Sequence, residues 1–479
     1  MSENDVLPEI AEGDAPHLAR RLLRAPGEQL RVTIDAALQR FASETLRTHL
    51  ADLTARNVED GAVVVLDNMS GEVLAYVGSS GALSSAAAVD GVAAERQPGS
   101  TLKPFLYALA IDQRWLTASS VLDDTSLALS TPSGLYVPQD YDRHFKGAVS
   151  VRAALGASLN VPAVRTLTMV GVDRFLATLR DLGLCSLSRD ADHYGFGLAL
   201  GGAETNLLDL SNAYRVLANG GTWTPVRFTQ EQVQAEGRPV LSPQASFIVG
   251  DILADPDARA TTFGLSSALS TRTWAAVKTG TSKGMRDNWT IGYTSRYTVG
   301  VWVGNFSGAP MWDVSGVTGA APIWRDIVEH LHEQQGGGAP MPPTGVQRQE
   351  VVFKPAFEAP RSDWIITDAK RPANASVTRQ LVAPRAQLVA PPDGAVIAPD
   401  PDIPERRQSL LLQSSSATRT CLRLNGKPVA RCGQSTALLA LPQAGRHVLM
   451  LTDPAGKALD THVFEVRALS TKLTIAPSK

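Results

Sequence analysis

The chain has few cysteines, no long apolar run and no excess of either charge. Its 479 residues include 3 cysteines, and Lys+Arg 45 against Asp+Glu 47 gives a net charge of -2. This balance gives no indication of nucleic-acid binding. No apolar run is long enough to cross a bilayer and no basic-then-apolar signal opens the chain, so the sequence alone predicts a cytosolic product with no membrane anchor or signal peptide. The histidines lack metal-ligand spacing, and we predict neither a metal nor another cofactor.

The first chemical signal is the segment 96–104, RQPGSTLKP, which runs into the apolar stretch Phe105–Ile111. A Pro-Gly pair marks a break, and apolar residues then recur at helical spacing. Ser100 is therefore predicted at or beside a helix start, with Lys103 one turn later on the same face. A lysine of lowered pKa can take the proton of a serine nucleophile. An S-x-x-K match alone is common by chance, and its ordinary interpretation is an N-cap serine beside a solvated lysine.

Two further motifs change that interpretation. Ser158 and Asn160 supply S-x-N, and residues 278–282 supply K-T-G followed by Thr and Ser, with residues 274–277 leading in as a strand. S-x-x-K, S-x-N and K-T-G, in this order, are the motif set of penicillin-binding proteins and serine β-lactamases, which the chain therefore resembles. The central residue of this motif is often Asp, as in S-D-N, and here it is Leu159. We expect the Leu159 side chain to point away from the cleft.

The closer resemblance is to the transpeptidase part of class A penicillin-binding proteins, in the 1C branch. It rests on residues 96–105, 200–203 and 278–289, and extends from about residue 31 to the C-terminus. Members of this family carry a membrane anchor and a glycosyltransferase domain ahead of this region, and neither is found here. We therefore expect either a truncated form or a one-domain relative. The resemblance places the full-length family at the periplasmic face of the inner membrane.

The chain is long enough for two domains. Strand patterns at both ends of the first domain, with helices between them, predict an antiparallel sheet packed against helices. This is the α/β (α+β) transpeptidase fold that the resemblance implies, and short strands near the C-terminus predict a small all-β sandwich. The expected segments are a residual linker and helix (1–58), a transpeptidase domain (59–335), a Gly/Pro-rich linker (336–380) and the C-terminal sandwich (381–479).

The three cysteines comprise one isolated residue, Cys185, and a closely spaced pair, Cys421 and Cys432. Cys185 is predicted to be a small buried apolar residue. Cys421 and Cys432 lie equidistant from a turn centred between Gly426 and Lys427, so a symmetric hairpin would place them opposite each other and allow a disulfide. The alternative is a strand register in which the two cysteines do not lie opposite each other.

The resemblance implies the catalytic roles. Ser100 would attack the penultimate D-alanine carbonyl of a peptidoglycan stem peptide and form an acyl-enzyme. Lys103, desolvated and near Lys278, would take its proton. Ser158 would relay a proton to the departing D-alanine, and Asn160 would bond the substrate amide.

The same resemblance implies how substrate is bound. Residues 278–282 would form one wall of the cleft, with Thr279, Gly280, Thr281 and Ser282 binding substrate. The Thr281 hydroxyl would receive the terminal carboxylate, and the backbone N–H groups of Ser100 and Thr281 would form the oxyanion hole. A β-lactam would mimic the D-Ala-D-Ala end and remain as a stable acyl-enzyme. The C-terminal domain would contact a cell-wall or envelope protein.

Two alternatives remain open at this point. A D,D-carboxypeptidase or β-lactamase would use water as acceptor on the same scaffold, but we find no convincing counterpart of the glutamate that activates this water in class A β-lactamases. A non-catalytic wall-peptide-binding scaffold would keep the pocket without the chemistry. The three intact motifs argue against it.

Overall fold

The computed structural model describes residues 13–131, 134–140, 142, 144–264, 267–334, 336–367, 377–380, 386–391, 393–397, 408–414 and 420–467. The chain divides into two compact units. The first comprises residues 1–124 and 148–379, and the second comprises residues 125–147 and 380–479.

The helices of the described residues all belong to the first unit. They are α1 Pro16–Leu22, α2 Ala36–Ala51, α3 Lys103–Asp112, α4 Val151–Gly156, α5 Asn160–Val170, α6 Val172–Asp181, α7 Ala191–Tyr194, α8 Leu207–Ala218, α9 Pro243–Ala254, α10 Pro256–Phe263 and α11 Ala320–Leu331. The strands are β1 Asp60–Asp67, β2 Val73–Val77, β3 Val121–Asp124, β4 Leu129–Thr131, β5 Gly134–Tyr136, β6 Gly147–Ser150, β7 Thr222–Trp223, β8 Arg238–Pro239, β9 Ala276–Thr281, β10 Asp287–Tyr293, β11 Tyr297–Gly304, β12 Val346–Lys354, β13 Arg361–Ile366, β14 Val377–Gln380, β15 Leu388–Ala390, β16 Val396–Ile397, β17 Ser409–Ser414, β18 Cys421–Leu424, β19 Lys427–Pro428, β20 Thr436–Ala440, β21 Gly445–Thr452 and β22 Ala458–Val466.

A five-stranded antiparallel sheet organises the first unit, in the order β2-β1-β11-β10-β9. Its inner strands are buried along almost their whole length because helices cover both faces. On one face, α2 and α11 bury Leu46, Leu50 and Trp324 against the sheet. On the other, Ser211 of α8 lies so close to Gly300 that a Cβ there would be 2.1 Å from its hydroxyl oxygen. The predicted α+β fold is confirmed, and its K-T-G strand, β9, lies at the sheet edge.

The segment 336–380 differs from the predicted linker. Within it, β12 and β13 form an antiparallel hairpin, and the segment to residue 379 belongs to the first unit. Most of the Gly and Pro residues that indicated a linker precede β12. From Arg348 to the end of β12, exposed and buried residues alternate, as expected of a half-buried strand.

The second unit contains a three-stranded sheet, β15-β17-β20, and a five-stranded sheet, β16-β22-β21-β18-β19. Leucines of both sheets, among them Leu412 and Leu449, share one apolar core with Phe464. This is the two-sheet arrangement of a sandwich, whose inner faces meet across a buried layer.

A disulfide joins Cys421 and Cys432, with a Cα–Cα separation of 4.3 Å. The hairpin turn is Asn425-Gly426, one residue earlier than the predicted centre, and both residues have positive φ. The register then shifts by two residues, because Val429 bonds Leu422 whereas Gly433 bonds Thr420. This shift brings the two cysteines together.

The prediction for Cys185 was wrong. Its side chain is exposed, because it lies in the turn that follows α6 rather than on the buried face of that helix.

Candidate active site

Ser100 lies in a 3-10 turn, Gly99–Leu102, immediately before α3. The backbone N–H of Lys103 donates to the carbonyl of Ser100. Residues three apart eclipse each other in such a turn, so the two side chains emerge on the same side. Ser100 is half-buried, whereas Lys103 is fully buried. Ser100 is therefore not a helix cap. It is the accessible residue of this turn, whereas the amine of Lys103 is removed from water.

The ammonium group of Lys103 reaches the S-x-N motif. Its Nζ donates to the Ser158 carbonyl at 2.7 Å and to Oδ1 of Asn160 at 2.6 Å, and it lies 3.5 Å from Oγ of Ser158. These contacts bring the first two motifs together across more than fifty residues of sequence.

The backbone geometry of Ser158 explains how it is presented. Helix α4 ends in a Schellman arrangement, in which Leu159 N–H bonds the Ala154 carbonyl and Ser158 N–H bonds the Leu155 carbonyl. Ser158 occupies the left-handed position of this motif, with φ of +60°, where glycine is usual. A non-glycine residue is held there at a cost of about 1–2 kcal/mol. Strain of this kind is characteristic of functional sites.

Lys278 completes the convergence. Its Nζ donates to Oγ of Ser158 at 2.8 Å and to the Thr279 carbonyl at 2.9 Å. Burial, and then the charge of Lys103, hold the pKa of the Lys278 ammonium well below its ordinary value. The Ser158 hydroxyl thus lies between two amines, and the amine of Lys278 releases its proton more readily than that of an isolated lysine.

The register of β9 directs the backbone of Thr281 to the open edge. Thr281 pairs with Asn288, and the next N–H, that of Ser282, bonds the Asp287 carbonyl. Because bonded and non-bonded pairs alternate in an antiparallel ladder, the N–H and C=O of Thr281 point away from β10. Gly99 lies directly against this edge, since a Cβ on it would be 2.6 Å from the Thr281 carbonyl oxygen.

The loop before α11 orients the Thr281 side chain. The backbone N–H of Gly316 donates to Oγ1 of Thr281 at 3.1 Å, and the Gly316 carbonyl accepts from Thr290. Because Oγ1 accepts this bond, the hydroxyl proton remains available to donate to a ligand. Sequence reasoning missed Gly316. No sequence motif marks Gly316. The structure explains why it has no side chain, because a Cβ at Gly316 would lie 2.8 Å from the Gly280 carbonyl oxygen.

Ser282 does not join this group. Its hydroxyl donates to Oδ2 of Asp287 at 2.8 Å and accepts from the Asp287 N–H at 2.9 Å. Strand β9 ends at Thr281, so Ser282 already belongs to the turn into β10. Its bonds to Asp287 favour a structural role over the predicted substrate contact.

Trp289 supports the segment that carries Ser100. Its side chain is fully buried, and Nε1 donates to the Gln97 carbonyl at 2.8 Å. Asp287 supports the same wall of the cleft, because its carboxylate also accepts a hydrogen bond from Nε1 of Trp302 at 3.2 Å.

The described residues contain neither a candidate membrane span nor a candidate metal site. None of their helices combines the length and hydropathy needed to traverse a bilayer. No group of three or more His, Cys, Asp or Glu side chains in the described ranges could hold a metal ion.

Comparison with known proteins agrees with this geometry. The family model described as penicillin binding protein transpeptidase domain matches residues 61–329, and the penicillin-binding protein C-terminus family matches residues 375–464. Penicillin-binding protein 1C of Escherichia coli is 33% identical over 358 residues, which are 73% of this chain and 44% of that protein. Penicillin-binding protein 1A of Neisseria meningitidis is 32% identical over 302 residues, covering 59% and 37%.

The chain therefore spans less than half the length of either relative. The crystal structure of penicillin-binding protein 1A from Haemophilus influenzae shares the fold, with a TM-score of 0.57 at 20% identity over 67% of this chain and 54% of that one. The transpeptidase match covers more than half of the sequence and includes all three converging motifs. The chain belongs to the penicillin-binding protein transpeptidase family.

Proposed function

We propose that the chain is a serine D,D-transpeptidase that cross-links peptidoglycan stem peptides through an acyl-enzyme at Ser100. The observation that carries this proposal is the position of the Ser158 hydroxyl between the amines of Lys103 and Lys278, beside the turn that presents Ser100. One neutral amine in such a pair supplies the base that a serine nucleophile needs. No metal or organic cofactor enters the proposed reaction.

Acylation follows from these positions. Lys103 takes the proton of Ser100 as its Oγ forms a bond to the carbonyl carbon of the penultimate D-alanine. The N–H groups of Ser100 and Thr281 receive the negative charge that develops on the carbonyl oxygen. The C–N bond to the terminal D-alanine then breaks, and Ser158 passes a proton to the departing amine.

Deacylation reverses these roles. The amine of a second stem peptide attacks the ester carbonyl and loses a proton through the same hydroxyl and amines. The C–O bond to Ser100 breaks, and the serine recovers its proton. The product is a new amide between two stem peptides.

Substrate recognition is proposed to use the edge of β9. The terminal carboxylate accepts a hydrogen bond from the Thr281 hydroxyl, whose oxygen is already engaged by Gly316. The amine of Lys278 lines the cleft beside Ser158, and Asn160 bonds the substrate amide. Thr279 and Gly280 are proposed to contact the substrate through their backbone groups. Gly280 has no room for a side chain, because a Cβ on it would lie 2.3 Å from the Pro98 carbonyl oxygen. A β-lactam carries the same carboxylate and carbonyl, so we propose that it acylates Ser100 and blocks the site.

The second unit is proposed to act by interaction, with a cell-wall or envelope protein as partner. Leu411 and Leu438 face each other across β17 and β20 and are 47% and 69% exposed, which provides apolar surface. The Cys421–Cys432 bridge supports a periplasmic location, since disulfides persist in oxidising compartments.

Intact mass measurement after incubation with a labelled penicillin tests the proposal. We expect one adduct on the native chain and none on Ser100→Ala. An adduct on the variant would place the nucleophile elsewhere. Rapid loss of the adduct with release of hydrolysed penicillin would instead indicate a hydrolase, and no adduct on a demonstrably folded native chain would indicate a binding protein.

A further inference from the structure

A buried charge cluster surrounds Arg152 in the first turn of α4. Its side chain is 7% exposed, and its three nitrogens bond three carboxylates: Nε to Asp363 at 2.6 Å, one terminal nitrogen to Asp255 at 2.9 Å and the other to Asp251 at 2.5 Å. Burial opposes the charge of Arg152, but the carboxylates of Asp363 and Asp251 outweigh it and raise the pKa of the guanidinium. Arg152 is therefore a permanent cation with fixed orientation.

One of these carboxylates comes from outside the segments that the family models match. Asp363 belongs to β13, between the matched ranges 61–329 and 375–464, and is fully buried. It also accepts from Nε of Arg361 at 3.0 Å. Arg361 reaches Glu358 at 2.5 Å. The β12–β13 hairpin thus brings its own charges to α4.

The same hairpin caps the helix. Glu358 accepts the backbone N–H of Ser150 at 2.6 Å, and Arg361 donates to the Ser150 hydroxyl at 2.9 Å. Ser150 is the N-cap residue of α4, and its hydroxyl also accepts from Ala153 N–H. Trp364 adds an anchor, since its Nε1 donates to Asp251 at 3.2 Å.

Helix α4 is only six residues long, and its other end carries Ser158. Less than two turns of helix therefore separate Arg152 from the Schellman turn. Helix α10 holds the far end, where Thr262 donates to the Ala157 carbonyl at 2.8 Å. Gly156 packs so tightly on Ala258 that a Cβ would lie 2.6 Å from its carbonyl oxygen.

We propose that Arg152, Asp363 and Glu358 are positioning residues for acyl transfer, and that the hairpin 346–366 is a clamp that fixes Ser158 between the two lysines and Asn160 beside Lys103. This inference rests on the proposed function for its kinetic consequence. The geometric part, that the hairpin holds the first turn of α4 and through it the turn that carries Ser158, does not depend on that function.

Two substitutions test the clamp with little change of shape. Asp363→Asn removes the buried charge shared by Arg152 and Arg361, and Glu358→Gln removes the charge that caps Ser150. Glu350→Gln is the matched control, because it removes a carboxylate from an exposed position of the same hairpin. For each, the rate constant and the final amplitude of penicillin acylation are measured separately, with thermal unfolding recorded alongside.

We expect the acylation rate constant of the folded molecules to fall on the order of tenfold or more in Asp363→Asn and Glu358→Gln, since small displacements of a catalytic group reduce rates steeply. The control keeps the native rate. In a Ser158→Ala background, Asp363→Asn should add little further loss, because both changes act through one hydroxyl. A lower amplitude with a native rate constant would mean only that fewer molecules fold, and would overturn the proposal.

Hydrogen exchange gives a readout that needs no activity. The amides of Ser158 and Leu159 are bonded at 3.1 Å and 2.9 Å to carbonyls of α4. In Asp363→Asn and Glu358→Gln we expect these amides to exchange faster while the central sheet stays protected. Unchanged exchange would overturn the clamp. Absence of acylation in the native chain would reject the proposed function, and exchange would then decide the clamp alone.

Discussion

The ammonium group of Lys278 donates a hydrogen bond of 2.8 Å to the hydroxyl of Ser158, the residue that also contacts Lys103. One small hydroxyl therefore connects a strand at the sheet edge to a helix that begins beside Ser100. Its position depends on a left-handed backbone conformation that the end of α4 imposes.

Replacement of Ser158 by alanine removes the hydroxyl shared by the two amines. We expect the acylation rate constant to fall about 10²- to 10⁴-fold, the usual contribution of a positioned proton-transfer group. Stopped-flow acylation with a chromogenic β-lactam measures it. Ser282→Ala is the informative comparison, because that hydroxyl bonds only Asp287 within the hydrogen bonds described above. It should lower stability by about 1–3 kcal/mol and leave the acylation rate close to native. Equal losses in both variants would contradict the assignment.

Lys278 should make stability rise with pH. Its pKa is lowered in the folded chain from an ordinary 10.5, first by burial and then by Lys103. Between the lowered pKa and 10.5 the unfolded state holds more protons, so the free energy of unfolding increases as pH rises through this window. Lys278→Met should show a shallower rise, measured by urea unfolding at several pH values. Lys283→Met removes an exposed lysine from the adjacent turn and serves as control. A native slope in Lys278→Met would refute this prediction.

Gly280→Ala should separate the K-T-G strand from the turn that carries Ser100. The added Cβ would lie 2.3 Å from the Pro98 carbonyl oxygen, so the turn has to move. We expect acylation to slow on the order of 10²-fold, the scale associated with a misplacement of about 1 Å. Gly197→Ala is a suitable control, since a Cβ there meets nothing within 4 Å. Intact mass over time measures both, and native acylation by Gly280→Ala would rule out the close packing described here.

Loss of the Cys421–Cys432 bridge should destabilise the second unit alone. The bridge closes a short loop, with a sequence separation of 11, and such a loop contributes about 3 kcal/mol. Calorimetry of the double Cys421→Ala, Cys432→Ala variant should show a lower transition for this unit. Acylation at Ser100 should be unchanged, because every site residue described above belongs to the first unit. Parallel loss of acylation would indicate coupling between the units.

Local sequence was sufficient for much of the site and fold. Ser100 and Lys103 are three residues apart, so a single turn fixes their relation whatever surrounds it. The hairpin of β1 and β2 and the antiparallel pair of β10 and β11 follow from apolar runs separated by short turns. Motif order then indicated which distant segments meet.

Contacts between distant segments decided the rest. Ser282 adjoins the K-T-G motif in sequence, yet the strand ends one residue earlier and turns its hydroxyl to Asp287. The Cys421–Cys432 bridge depends on a register shift that symmetry about the turn did not reveal.

The sequence by itself determined which residues are proposed to carry the chemistry, because residue type and spacing along one turn or one strand set what each group can do. Only the tertiary structure decided how they are held. The buried partners of Arg152 come from helices and a hairpin up to 211 residues away, and no local pattern encodes which charges will meet when water is excluded.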